Sequence, residues 1–512
     1  MPTVPSEPEK YSIDEMMDRL KNVPSENPED GEMVTRSDGS QAIRVRKRKR
    51  RSTQPHKEQA QQTRRTHVMQ VSAALVCVFL AALTIGGAII YANSGPFREN
   101  LVRKIALASG ASIELEQFRM NPKTANAGKL TLEWPGGNVL KSLTLHGITA
   151  EISPSSFLGK SMNGEEITVA DGTLVLQIPK PGQALRSSAE PAGDLPVQFN
   201  RYHIPRFDLT LGEPASAAIK LTKSEASLYP ENKSGRVQMR LNQGNLAITG
   251  WPKLRLDRAL IEFRGNQTDI IVLRFFHETD DRGVFEISGT VSPYKPDHLS
   301  TLAVQLEAFE LSGITGPSLG RLFSGRVDSL PVAESNYFSF LPSANPTPTL
   351  DVSFRTPPGS SIEVQGFPFL FALAQTLDDE WFERPVFAAD AGGVLHREAG
   401  TVTLGGLNFE SKGRMALRGG ISMASNQTLS GNLQLGIAEA MIVSAKNPRL
   451  KSMFAGLPNE GFHWITLKIG GTATSPTDNF GELFSATAAA PRNPPAPAEN
   501  KGSTFEELTR PK

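Results

Sequence analysis

One stretch constrains everything else in the chain: VMQVSAALVCVFLAALTIGGAIIY, from Val68 to Tyr91. It runs for about 24 residues without a formal charge, long enough for a membrane span. Its clearly polar side chains are Gln70, Ser72 and Thr84. As a helix rising about 1.5 Å per residue it reaches roughly 36 Å, enough to cross a hydrocarbon core about 30 Å thick with some tilt. A soluble core helix of that length would carry a polar face, and this run has none. The sequence therefore predicts a transmembrane helix over 68–91.

The flanks set its direction. Upstream lie Arg44, Arg46, Lys47, Arg48, Lys49, Arg50, Arg51, Lys57, Arg64 and Arg65, opposed only by Glu58. Downstream the first charges are Arg98 and Glu99, which cancel. Basic residues stay on the cytoplasmic side, so the N-terminus is expected inside and everything beyond Tyr91 exported. A cleaved signal peptide fits less well, because the cationic leader and the apolar run are both too long. The run Arg46, Lys47, Arg48, Lys49, Arg50, Arg51 is the topology determinant, and it could also meet anionic headgroups at the membrane surface.

The chain has 512 residues and a net charge of +1, so the exported part has no bulk charge that would nominate nucleic acid as a partner. Its single cysteine, Cys77, sits inside the apolar run. Disulfides and cysteine metal sites are thereby excluded from the exported chain, which must rely on an extensive core.

Residues 1–67 read as a disordered basic cytoplasmic tail. Within it Tyr11–Lys21 carries a capping box, Ser12 with Glu15, and places Ile13, Met16, Met17 and Leu20 on one helical face. A transient helix is the simpler reading, a docking helix the sharper one. Asn22–Ser40 is polar, acidic and almost free of apolar residues, so disorder is expected there.

Beyond the span, residues 94–110 predict an amphipathic juxtamembrane helix. Ser94 would be its N-cap, Pro96 stands in its first turn and Gly110 is its stop. After Gly110 the period changes from 3.6 to 2. Leu130, Leu132 and Trp134 alternate with polar residues; Leu143 and Leu145 share a face, and Ile148, Ala150 and Ile152 continue with shifted parity. A bulge at His146-Gly147 would explain the shift. Leu174 and Leu176 extend the pattern past an expected Asp171-Gly172 hairpin turn. Val272, Leu302 and Leu306 belong to later segments of the same kind.

Strand patterns recur with no helix between them, so the fold class is mainly β: an antiparallel sheet behind one N-terminal transmembrane helix, with few short helices and no parallel crossovers. The expected divisions are a β domain over 111–366, a helical insertion over 367–382, a C-terminal β segment over 383–485 and a disordered tail over 486–512.

Catalytic chemistry does not emerge. PSSFLGKS at Pro154–Ser161 approaches a phosphate-binding loop, but Pro154 stands where the first glycine is needed and lacks an N–H. Gly316-Pro317-Ser318-Leu319-Gly320 matches the nucleophile-elbow pattern, yet the surroundings are strand-rich and His396 and His463 have no supporting pattern. The histidines do not cluster at metal-ligand spacing, and Asp378-Asp379-Glu380 reads as a solvated helix end rather than a cation site. No enzyme, metal or cofactor is expected.

The order of a single span, a short helix ending in Gly and a long strand series is carried by FRENLVRKIALASGASIELEQF and ANAGKLTLEWPGGNVLKSLTLHGITAEI within residues 97–152. GTVTLGGLNFESKGRMALRGGISMASNQTLSGNLQLGI at 400–437 and WITLKIGGTATSP at 464–476 add to it. In this layout the chain resembles AsmA-like envelope proteins, relatives of TamB and of bridge-like lipid-transfer proteins.

The resemblance implies a long curved sheet folded into a groove with an apolar inner face for acyl chains, in the periplasm and anchored in the inner membrane. Membrane lipids, phospholipid or glycolipid, would be its partners, with envelope proteins as possible further ones. Leu130, Leu132, Trp134, Leu143, Leu145, Leu174, Leu176, Val272, Leu302 and Leu306 would line the groove. Some twenty strands at about 4.8 Å each would give a length on the order of 100 Å. The alternation fits a lipid-lined groove and a closed β core equally well. An assembly protein of the envelope with a closed core is therefore the alternative.

Overall fold

The computed structural model describes residues 32–44 and 76–489, apart from short stretches at 81, 85, 154–161, 179, 181, 183–196, 232–235, 266, 294, 296, 332–335, 342, 344 and 389–390. Five expectations lie outside the described residues: the tail helix at 11–21, the basic run at 46–51, the first turns of the apolar stretch, the phosphate-loop look-alike at 154–161, and the tail from 490 onward. The chain divides into two units, Met1–Leu83 and Thr84–Lys512.

In the first unit a hairpin joins β1 (Glu32–Thr35) and β2 (Gln41–Arg44), with Thr35 opposite Gln41. The Asp38 carboxylate accepts from the Ser40 amide at 3.1 Å and hydroxyl at 2.7 Å, and Gly39 takes a φ of +84. These bonds hold the Asp38 carboxyl below its ordinary value. Over 32–40 a hairpin stands where disorder was expected, and residues 22–31 lie outside the described residues. Asp-Gly turn chemistry is local and needs no apolar core to act.

The second unit opens with helical residues that end at Ala92, followed by a helix over Gly95–Ser109. No single described helix is long and apolar enough to cross a membrane. Val76–Ala92 and Gly95–Ser109 reach that length together, bent by 62° at the break. At the bend the Asn93 side chain behaves as a strand would. Its amide group donates to the Met120 carbonyl at 2.7 Å, and its oxygen accepts from the Met120 N–H at 2.7 Å. Ser94 does not cap with its side chain; the hydroxyl turns back to the Tyr91 carbonyl at 2.6 Å. Gly110 stops the helix in the left-handed region, with its N–H on the Ala106 carbonyl.

One ladder then takes up most of this unit. It starts with β3 (Ser112–Glu116) and β4 (Arg119–Met120), two pieces of one edge that both lie on β5 (Thr124–Glu133). β6 (Leu140–Ile152), β7 (Met162–Leu176), β8 (Val197–Leu211) and β9 (Ile219–Glu231) follow in order. β10 (Arg236–Asn242) and β11 (Asn245–Ile248) are one strand broken at Gln243 and Gly244, set between β9 and β12 (Leu254–Arg264). β13 (Gln267–His277), β14 (Val284–Val291) and β15 (Ser300–Glu307) continue.

The chain then steps off the ladder as β16 (Phe309–Glu310) and β17 (Phe323–Ser329) and returns as β18 (Tyr337–Leu341) and β19 (Asn345–Arg355). A second excursion makes β20 (Ile362–Val364), a helix over Pro368–Leu377 and β21 (Val386–Phe387). The last run is β22 (Gly392–Glu398), β23 (Thr401–Ser411), β24 (Met415–Met423), β25 (Leu429–Ala438), β26 (Phe462–Thr472) and β27 (Ser475–Asp478).

Rings can be traced in this pairing pattern, but they are local, as where β10 and β11 both meet β9 and β12. Among the described residues β27 pairs with β26 and β3 with β5, and no pair joins β27 to β3, so the sheet is an open ladder there and not a closed barrel.

Three local expectations change. β7 and β8 are parallel, Met162 beside Val197 and Leu176 beside Leu211, so the sheet is not antiparallel throughout. The connection through 177–196 is long enough to carry the chain back along the strands. Asp171-Gly172 is not a turn, because β7 runs straight through it; Asp171 faces His146 and pairs with Arg206 at 2.6 Å. Gly147 takes a φ of +62, while His146↔Asp171 and Ile148↔Val169 stay in register. A left-handed glycine, not an inserted residue, therefore turns the side-chain parity on β6.

The apolar face of the ladder is treated differently along its length. Around β16–β26 it is covered by the chain's own excursions. Phe309, Phe323, Phe354, Phe367, Phe369, Phe382, Phe387 and Phe409 are all fully or almost fully buried. Phe323 touches Phe367 and Phe409 at centroid distances of 5.7 and 6.2 Å. Each such burial contributes about 1.5–3 kcal/mol relative to exposure. The helix Pro368–Leu377 sits in this packed part, burying Phe369, Leu370, Leu373 and Ala374. Its first turn is capped from 109 residues away: Asp478 accepts from the Phe369 N–H at 2.8 Å and from the Phe480 N–H at 3.0 Å. A closing helix over Phe480–Ala489 overlaps the first residues of the expected tail at 486–512.

Candidate functional site

Where the excursions stop, the apolar face is left partly open. A cavity of about 340 Å³ lies against β7–β15 and β18 and is open on part of its boundary. Its wall is almost wholly apolar, with Leu209, Leu221, Leu246, Leu254, Phe275, Leu302 and Phe338 among its members. Gln177, Ser292 and Ser300 are the polar residues in the wall. The volume falls within the range of sites that take small apolar ligands, about 300–1,000 Å³.

Strand register explains how the wall is built. Across the sheet, Leu132 stands opposite Leu143, Leu143 opposite Leu174, and Leu174 beside Leu209. Leu209 faces Leu221, Leu221 faces Leu246 and Leu246 faces Leu254. One row of leucines thus crosses seven neighbouring strands, roughly 29 Å at about 4.8 Å per strand. Its second half, from Leu209 to Leu254, is cavity wall. A parallel row runs Leu140, Leu176, Leu211, Ile219 and Ile248. Leu143, Leu174, Leu209 and Leu246 are half-buried, whereas the equivalent face of β19–β26 is sealed.

The ten residues expected to line a groove separate accordingly. Leu176 and Leu302 line the cavity. Leu132, Leu143 and Leu174 lie on the leucine row leading to it, and Leu130 faces Leu145 one step along β5 and β6. Trp134 stands apart: its indole N–H donates to the Ser109 carbonyl at 2.9 Å and ties the strand end to the helix Gly95–Ser109. Leu306 is 2% exposed and does not line the cavity, although it stands opposite Phe285, which does.

Val272 is not in the wall. Register shifts between Leu256 and Arg258 and between Leu260 and Ile261 bring Ile270, Leu273 and Phe275 there instead. Leu241, Leu246, Ile248 and Phe338 are wall residues that strand alternation left out of the expected set. The break at Gln243-Gly244 leaves Leu246 and Ile248 on a four-residue piece too short to show a period.

At one end the wall meets a buried charge. Trp251, in the turn after β11, packs edge-on against Phe338 at 5.8 Å and lies under the guanidinium of Arg397 at 5.3 Å. Arg397, on β22, is 4% exposed. It donates to the Ile314 carbonyl at 2.8 Å and to the Gly250 carbonyl. Burial pulls its pKa down to about 10. These contacts bring the turn between β11 and β12 against the β22–β23 hairpin, although β12 and β22 are six ladder steps apart, so the sheet curls strongly between them.

The residues weighed for catalysis are dispersed. Ser318 lies in the short helix Pro317–Gly320. His396 pairs with Asp351 at 2.7 Å, and His463 Nδ1 lies 2.7 Å from the Gly456 carbonyl. Asp379 caps Trp381 and pairs with Arg414, while Asp378 meets Lys446 at 3.5 Å. No protein-family model, curated protein or solved structure matches the chain.

Proposed function

We propose that this protein handles lipids. In this reading residues 68–91 cross the inner membrane with the N-terminus in the cytoplasm, and the strand-rich unit stands in the periplasm. There it shields acyl chains against its apolar face, serving cell-envelope biogenesis or lipid transport without catalysing a reaction. The observation that carries the reading is the leucine row. Four of its seven leucines are half-buried, it is continuous across seven strands, and it ends in an apolar cavity whose polar lining is sparse. An ordinary core would fill such a face, as this chain fills its own β19–β26 face.

That filled part supports the second reading, an assembly protein with a closed core. Mass spectrometry of lipids extracted from the purified full chain separates the two. The lipid-handling reading expects phospholipid or glycolipid in stoichiometric amount, and lipid at trace level after mild detergent purification would leave the closed-core protein.

A further inference from the structure

Arg397 is 4% exposed, yet no acidic neighbour offsets that burial. Its strand neighbours are Leu350 and Val402, both fully buried. Two of its N–H groups reach backbone carbonyls, but its Nε has no acceptor, and neither has the indole Nε1 of Trp251 beneath it. Two adjacent buried donors, one of them cationic, are therefore left without an acceptor. A buried guanidinium without an anion is costly, and its planar fork fits carboxylate and phosphate oxygens better than any neutral group. Trp251 also touches Phe338, which belongs to the cavity wall. Neither donor residue lines the cavity itself; the pair adjoins it through Phe338, beyond which lies an apolar space with few polar groups of its own.

We infer that Arg397 and Trp251 form a headgroup subsite for a single-chain amphiphile with a carboxylate or phosphate head. Its tail lies along the cavity against Leu254 and Phe338, and its anion accepts from Arg397 Nε and the Trp251 indole N–H. The inference rests on the lipid-handling reading and narrows its ligand from any membrane lipid to an anionic one.

The test is native mass spectrometry of the detergent-purified full chain. The chain is titrated separately with oleic acid, with methyl oleate (the same chain without the anion) and with monododecyl phosphate. The expected result is retention of oleate and of dodecyl phosphate about tenfold above methyl oleate at equal concentration. Arg397→Gln should bring the three within about twofold while leaving methyl oleate unchanged. Trp251→Phe keeps the ring and removes the N–H, so a loss of about threefold in oleate retention is expected there. If circular dichroism finds Arg397→Gln unfolded, Trp251→Phe decides.

Equal retention of oleate and methyl oleate by the unaltered chain would remove the subsite and leave the cavity reading standing. Retention of neither would remove both. Displacement of oleate by an equal concentration of inorganic phosphate would also overturn the inference, since a free anion would then suffice.

Discussion

Leu209 and Leu306 have the same side chain and similar places in their strands, but a charge should affect them differently. Leu209 is half-buried in the wall of a part-open cavity. Leu306 is 2% exposed, opposite the fully buried Phe285. A carboxylate forced into the second site has no water and no partner and costs several kcal/mol or more. Leu306→Asp is therefore expected to lower the melting temperature sharply or prevent folding. Leu209→Asp should fold, insert and melt close to the unaltered protein while co-purifying with less lipid. Thermal unfolding followed by circular dichroism, with lipid analysis of the same samples, checks both. Similar loss of stability in the two variants would mean the wall is ordinary core. Strand alternation groups Leu302 with Leu306 because both point to one face of β15. It cannot register that Leu302 lines the cavity and Leu306 does not.

Among the elements, the helix Pro368–Leu377 depends most on a distant residue. It begins at a proline with no cap from its own neighbours, and Asp478 supplies one to it and another to the helix Phe480–Ala489. Asp478→Ala is expected to cost about 1 kcal/mol for each helix, read as a shift of the denaturant midpoint and as faster amide exchange over 368–377. The same carboxyl is partly buried, and burial raises its pKa above the ordinary 3.8 despite the two N–H bonds that favour the anion.

The folded chain therefore holds this proton more firmly than the unfolded one. Its stability contribution is full below the unfolded value and declines as pH rises from there through the raised value. Relative to Asp478→Asn, the unaltered protein should lose stability over that window. A difference independent of pH would mean the carboxyl is not perturbed.

Such a cap is invisible in the sequence, since Asp478 and Phe369 are 109 positions apart. The helix itself was legible from FPFLFALAQTL, as was the β character of nearly everything else, because both arise from local periodicity. What local patterns missed were the parallel β7–β8 pair, the straight run of β7 through Asp171-Gly172, and the hidden strand piece holding Leu246 and Ile248. Each depends on which strand lies alongside, and alternation within one strand carries no information about that. Arg397 was missed for the same reason, since a lone arginine in a strand reads as surface until Gly250, Trp251 and Ile314 are brought around it.

Over the whole strand-rich unit, one ladder serves two purposes. From β16 onward the chain returns repeatedly to cover its own apolar face with phenylalanine-rich excursions. From β5 to β15 none is found among the described residues, and four of the seven leucines in the row stay half-buried. Asn93 fixes the start of this open part to the helical entry, because its side chain pairs with the Met120 backbone in both directions. Asn93→Ala removes both of these hydrogen bonds at once. It should loosen β4 and the bend, with faster exchange confined to residues near 93 and 120.

The division into open and sealed parts makes a stronger prediction about dynamics. Local opening is easier where fewer apolar side chains are fully buried, and β8–β13 keeps more half-buried ones than β19–β26. In hydrogen exchange of the lipid-stripped full chain, β19, β23, β25 and β26 should be the slowest region and β8–β13 markedly faster. Adding lipid should slow β8–β13, because a bound chain supplies the contacts that the face lacks, and it should leave β19–β26 unchanged. Uniform protection along the ladder, or equal slowing of both parts on adding lipid, would mean that the unit is a single closed core and that the cavity is incidental to its work.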